Sequence, residues 1–193
     1  MSFISCPLCA GIESEMYRKI GDCIIRDWQV KDAPSIAKYA NSRKIWINLR
    51  DSFPYPYSLQ DAESFISHAI EADPRTIFAI ATQSEAIGSI GLMPGKDVHR
   101  FTAEIGYWLA EPFWGKGIMT QAVKSMAEYA IQDLKLNRIF AEPYTTNPAS
   151  ARVLEKAGFK CEGILRSNVF KDAKVLDQFL YSYVGKVSTQ PAI

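Results

Sequence analysis

The sequence predicts an α+β fold: a mixed, mostly antiparallel seven-stranded sheet flanked by helices. Three observations lead there. Apolar runs at residues 76–82 and 86–93 are separated only by Gln83-Ser84-Glu85, the pattern of a hairpin. Between residues 101 and 142 a strand-like run, an amphipathic helix and a second strand-like run follow one another, a crossover that makes its two strands locally parallel. Two further runs, 159–170 and 175–184, flank the polar turn Lys171-Asp172-Ala173-Lys174. Hairpins on either side of one crossover give a mixed sheet with helices laid on it.

The remaining elements follow in order. Residues 1–21 show no sustained periodicity and are assigned to an N-terminal extension, the domain to 22–186 and a tail to 187–193. Cys23 to Trp28 reads as the first strand, and Asp32 is placed to cap a helix through Ile36, Ala37 and Ala40. Trp46, Phe53, Tyr55 and Tyr57 crowd a stretch broken by Pro54 and Pro56, which forbid a regular helix around them. Such a loop either lines a substrate pocket, with Trp46, Phe53 and Tyr55 as its wall, or covers the core. Ser58 or Gln60 opens a second helix that ends near Asp73-Pro74. Asn147-Pro148 opens the last helix, with Gly158 just beyond its end.

Composition narrows the function. With 193 residues, 48% hydrophobic and 22% charged, the chain suits one globular domain with a substantial core. A net charge of +1 and the lack of a dense Lys/Arg run predict no nucleic-acid partner. No apolar stretch approaches the roughly 20 residues that span a bilayer, so no membrane partner and a cytoplasmic location are expected. Cys6 and Cys9 have C-x-x-C spacing, but Cys23 and Cys161 make no second pair and His68 lies far from His99, so no metal is expected.

The chemistry centres on Glu111-Pro112-Phe113-Trp114-Gly115-Lys116-Gly117-Ile118-Met119-Thr120. Gly115 and Gly117 let the backbone turn sharply with no side chain between its N–H groups and a ligand. The helix that follows buries Met119, Ala122, Val123, Met126, Ala127 and Ala130 on one face. Its first-turn donors and its dipole suit phosphate oxygens. A strand-to-helix turn also uses glycine for geometry alone.

This turn, together with Asn147-Pro148-Ala149-Ser150-Ala151-Arg152-Val153-Leu154-Glu155-Lys156-Ala157-Gly158-Phe159, resembles the GNAT acetyltransferases, and among them the RimJ/RimL-like branch, over about residues 22–185. The resemblance implies the GNAT acyltransferase fold and acetyl-CoA as cosubstrate. It places the pyrophosphate over the backbone from Phe113 to Thr120 (Phe113, Trp114, Gly115, Lys116, Gly117, Ile118, Met119, Thr120) and the pantetheine arm against Tyr107, Trp108 and Leu109. Asn147 reads both as a helix cap and, by resemblance, as a pantetheine contact. The tyrosine acid of many GNAT enzymes matches Leu154, so the resemblance shifts that role to Ser150, with Tyr144 in reserve. Pro112 stands where the family's broad pattern has Gln or Arg.

The acceptor implied is a primary amine on a protein N-terminus or a small molecule. At pH 7 a lysine amine is neutral in only about four molecules per ten thousand, an α-amine in about one in six, so some base is needed. Glu104 is the candidate, with Glu142 as the alternative. Cys161 reads as core or strand filler, because an amine attacks a thioester without an enzyme nucleophile. Two other functions stay open: an acetyl-CoA-binding sensor with weak turnover, and a dinucleotide-binding protein, although that fold wants its glycine turn after the first strand.

Overall fold

The computed structural model describes residues 15–185; the Cys6/Cys9 pair and the tail 187–193 lie outside them. The strands are β1 (Tyr17–Ile20), β2 (Cys23–Arg26), β3 (Ile77–Ala81), β4 (Ala86–Pro94), β5 (Thr102–Leu109), β6 (Arg138–Ala141), β7 (Lys160–Lys171) and β8 (Lys174–Val184). The helices are α1 (Ala33–Ala40), α2 (Arg43–Trp46), α3 (Leu59–Glu71), α4 (Ile118–Gln132) and α5 (Pro148–Lys156). All eight strands join one sheet in the order β1-β2-β3-β4-β5-β6-β8-β7.

Seven strands starting after Asp22 were expected; the eighth is β1, antiparallel to β2 and inside the segment assigned to the extension. Only Ile20 of its four residues is buried, so it shows no alternation to read. Asp32 stands before α1 as predicted but does not cap it with its side chain. Its carboxylate instead accepts from Arg26 at 2.7 and 2.8 Å and from the Gln29 N–H at 3.0 Å. Ser58 does cap α3, accepting from the Asp61 N–H at 3.1 Å while Asp61 accepts from the Ser58 N–H at 2.8 Å.

Neighbouring strands are antiparallel except β5 and β6, which the α4 crossover makes parallel. Their pairing covers only Thr102–Glu104 against Arg138–Phe140, so the two strands part beyond Glu104. The sheet has a core on each face. Ala103, Ile105 and Leu109 of β5 pack with Met119, Val123 and Met126 of α4, whereas Trp108 packs with Ile36, Ala62 and Ile66 of α1 and α3. That split is the period-two alternation expected of β5.

Three long-range contacts tie the β7–β8 turn to α2 and the segment after it. Lys171, only 1% exposed, places its ammonium 2.7 Å from Asp51 Oδ1 and 3.8 Å from the centroid of the Trp46 ring. Arg43 pairs with Asp172 at 2.7 Å. Among the described residues no helix is long and apolar enough to cross a membrane, and no cluster of His, Cys, Asp and Glu could hold a metal.

Candidate active site

Gly117 is the N-cap of helix α4, with φ 75° and ψ 0°, and Gly115 has φ 74°. This left-handed conformation costs any other L-residue about 1–2 kcal/mol. A Cβ at either position would meet nothing within 4 Å, so the backbone is open on that side. No side chain caps α4, and the first bond across its opening turn runs from the Gln121 N–H to Gly117 O at 3.1 Å. The N–H groups of Ile118, Met119 and Thr120 are therefore without an acceptor among the described residues. Lys116 lies over the Phe113 ring at 5.2 Å. Glu111 is engaged elsewhere: Lys44 at 2.7 Å and Ser42 at 2.6 Å hold its carboxyl below the usual range.

Beside this turn lies the gap between β5 and β6. Trp108 pairs in register with Ser89, and the Ala110 N–H donates to Ile87 O, so the backbone groups of even-numbered residues here face β4. Tyr107 and Leu109 consequently turn their N–H and C=O into the gap. The Trp114 indole N–H already donates to Leu109 O at 2.6 Å. Of the three residues expected to pair with a peptide-like arm, only Tyr107 keeps both backbone groups free, and Trp108 contributes its ring instead of its backbone.

A cavity of about 1080 Å³ joins these features. Every predicted cofactor and catalytic residue except Lys116 lines it, together with Phe53 and Glu142. Trp46 and Tyr55 do not: they stack on each other at 5.8 Å, and Trp46 receives Lys171. The aromatic stretch thus does both things its sequence allowed, Phe53 facing the cavity and Trp46 holding the fold.

The two candidate bases sit at the foot of the gap. Arg50 Nη2 lies 2.6 and 2.7 Å from the two oxygens of Glu104, which is thereby occupied. The Glu142 side chain has no hydrogen-bond partner among the described residues. Burial, then the charge of Glu104, push its carboxyl above the ordinary range, with Arg50 opposing. Sequence reading missed Arg50, which lies far along the chain in a loop without a motif.

Ser150, in the first turn of α5, has its hydroxyl 2.8 Å from that of Tyr107. Burial raises the Tyr107 phenol far above its usual range, so it stays protonated. Period two places the Tyr107 side chain on the α5 face of β5, but nothing in the sequence pairs it with Ser150. Asn147 does cap α5, accepting from the Ser150 N–H at 3.2 Å, and thereby fixes the backbone of that same serine. Tyr144 donates to Leu49 O at 3.2 Å, so its proton holds the segment after α2. Cys161 lies in β7 and is exposed, so it belongs to a strand and not to the core.

Residues 22–160 match the model of the acetyltransferase (GNAT) domain. The "Probable N-acetyltransferase YjcK" of Bacillus subtilis is 46% identical over 102 residues, 52% of this chain and 56% of that protein. The ribosomal-protein-serine acetyltransferase of Escherichia coli is 29% identical over 145 residues, 73% of this chain and 80% of that protein. The solved structure of RimL, a ribosomal L7/L12 alpha-N-protein acetyltransferase in complex with coenzyme A, superposes with TM-score 0.77 at 21% identity over 87% of this chain and 97% of that one. The chain thus spans little more than half the length of the first of these relatives. An open glycine turn leading into an uncapped α4, beside a parted β5–β6 pair and within the matched segment, makes the conclusion plain: the chain belongs to the GNAT acetyltransferase domain family.

Proposed function

We propose that the chain moves the acetyl group of acetyl-CoA to a primary amine, on a protein N-terminus or a small molecule, by direct attack in a ternary complex. The observation that carries this reading is one cavity lined both by an uncapped, glycine-led helix N-terminus and by two carboxylates. The residues fit the cosubstrate: the left-handed glycines leave the N–H groups of 118–120 open to phosphate oxygens, and Tyr107 offers an N–H and a C=O to an amide-bearing arm in place of a missing strand.

Bound acetyl-CoA supplies the acyl group as an activated thioester. Everything else falls to the chain. Glu142, with both oxygens free and its proton affinity raised, takes the proton from the acceptor ammonium. Glu104, locked to Arg50, supplies negative charge beside it and attracts that ammonium. On the other side, Ser150 gives its proton to the departing sulfur, and the Tyr107 hydroxyl at 2.8 Å orients Ser150.

The test is a thermal shift with acetyl-CoA against NADH and ATP, followed by thiol release with an amine panel. At one hundred times its dissociation constant a ligand stabilises by about 2.7 kcal/mol, about 5–10 °C in a domain of this size. A shift with acetyl-CoA alone and amine-dependent thiol release support the reading. Absence of any shift at millimolar acetyl-CoA refutes it.

A further inference from the structure

Beyond Glu104 the cavity runs on over the face of the sheet opposite α4. Its wall there is Phe53, Tyr57, Phe65, Ile77 and Trp108. Phe53 bridges two of them, 4.9 Å from Tyr57 and 5.9 Å, edge-on, from Trp108. Gly106 stands between Glu104 and Trp108 on this face of β5 and also lines the cavity, and the floor there is covered by Met93, whose methyl carbon lies 3.2 Å from where a Cβ of Gly106 would stand. The ion pair of Arg50 with Glu104 lies at the near end.

Two polar groups of this wall, the Trp108 indole N–H and the Tyr57 hydroxyl, have no hydrogen-bond partner among the described residues. Tyr57 is 6% exposed and lines the cavity. Burial pushes its ionisation up to about 12, so it is a donor at neutral pH. The hydroxyl is open to the cavity, where water or an oxygen of a bound molecule can accept from it.

Resting on the acetyltransferase reading, we infer that the acceptor is a hydrophobic primary amine: an aromatic or branched aliphatic group a few bonds from the nitrogen fills this lobe, and a carbonyl or hydroxyl oxygen of the same molecule accepts from Tyr57. The amine then lies at the Glu104–Glu142 end, where the carboxylates meet it. The whole cavity, about 1080 Å³, is several times the roughly 150 Å³ that holds a benzene ring. A polyamine, by contrast, would leave a second ammonium among aromatic rings with no carboxylate in reach.

The experiment compares peptides with N-terminal phenylalanine, leucine, serine or glycine and, as free amines, 2-phenylethylamine, ethylamine and spermidine. The expected kcat/KM for N-terminal phenylalanine and for 2-phenylethylamine is about ten- to hundredfold above glycine and ethylamine respectively. A gain confined to the peptides identifies a protein N-terminus as the source, and a gain in both series a small amine. Tyr57→Phe is expected to cost the phenylalanine peptide about tenfold and 2-phenylethylamine, which has no oxygen, no more than about twofold. Phe65→Ala is expected to erase the preference while the acetyl-CoA thermal shift stays. Glycine and ethylamine turning over as fast as their bulky counterparts overturns the inference and leaves the transferase reading intact. If acetyl-CoA binds but no amine is acetylated, the transferase reading fails instead. The lobe is then judged by thermal shift in the presence of CoA: stabilisation by 2-phenylethylamine over ethylamine upholds it, and equal shifts overturn it.

Discussion

Gly117→Ala separates what the glycine turn does for the fold from what it does for binding. At φ 75° the alanine side chain carries the left-handed penalty of about 1–2 kcal/mol, and nothing lies within 4 Å of its Cβ to add a clash. For a domain of this size that lowers Tm by about 2–8 °C. The same open space makes the methyl group harmful to binding, because it stands where an anion must approach the first N–H groups of α4. Loss of one hydrogen bond to a charged group costs about 1.5–3 kcal/mol, which is about ten- to hundredfold in acetyl-CoA affinity. Gly163→Ala is the control: its surroundings are also empty, but its φ is not positive, so Tm is expected to move little and affinity not at all. Thermal unfolding without ligand reads the strain, and titration calorimetry with acetyl-CoA reads the cradle. A Gly117→Ala protein that loses Tm but binds acetyl-CoA as tightly as the parent refutes the cradle and leaves the glycine a purely structural role.

Further substitutions probe the chemistry and its frame. Glu142 acts only when ionised, so turnover is expected to fall as pH drops through its raised pKa, above the ordinary glutamate value of about 4.3; Glu142→Gln removes that acidic limb and costs about 10²–10⁴-fold in kcat. Arg50→Ala removes the cation that holds this pKa down, so the limb is expected to move to higher pH, and a limb that stays put excludes Glu142 as the base. Ser150→Ala is expected to lower kcat with little change in acetyl-CoA affinity, and adding Tyr107→Phe to it to cost almost nothing more, because the two hydroxyls act as one pair; additive losses would contradict this. At the β7–β8 turn, Asp51→Ala strands the buried Lys171 ammonium and is expected to cost about 1–3 kcal/mol, more than Lys171→Met, which takes the charge away as well; chemical denaturation ranks the two.

The sequence was most legible where structure is made by nearby residues. The helix α4, its glycine opening, the Ser58 and Asn147 caps and the parallel β5–β6 pair all follow from patterns a few residues long. Strand β1 was not legible, since four residues with one buried position cannot display a period. Neither was the wall assignment: Phe53 and Trp46 look alike in sequence, and what separates them is Lys171, 125 positions beyond Trp46, which covers its ring and removes it from the cavity. The same holds for Arg50, which meets Glu104 across 54 positions, and for Tyr107, which meets Ser150 across 43. Side-chain pairings of that range are properties of the assembled sheet.

Strand β5 shows why the two halves of the site differ in this way. It offers three directions at once. Its in-plane N–H and C=O groups at Tyr107 point into the gap toward β6, where backbone alone can hold a ligand, and that half needs little beyond glycine at the turn. Its odd-numbered side chains, Tyr107 among them, face α4 and α5, where Ser150 waits. Its even-numbered positions, Glu104, Gly106 and Trp108, face the lobe built from Phe53, Tyr57 and Phe65, and only these change character with the residue chosen. Substitutions on that one face can therefore retune the acceptor while the backbone cradle keeps its shape. A one-residue slip of β5 would exchange Tyr107 with Trp108 and destroy both functions together, which is why the strand is pinned on both sides, by seven residues of register with β4 and three with β6.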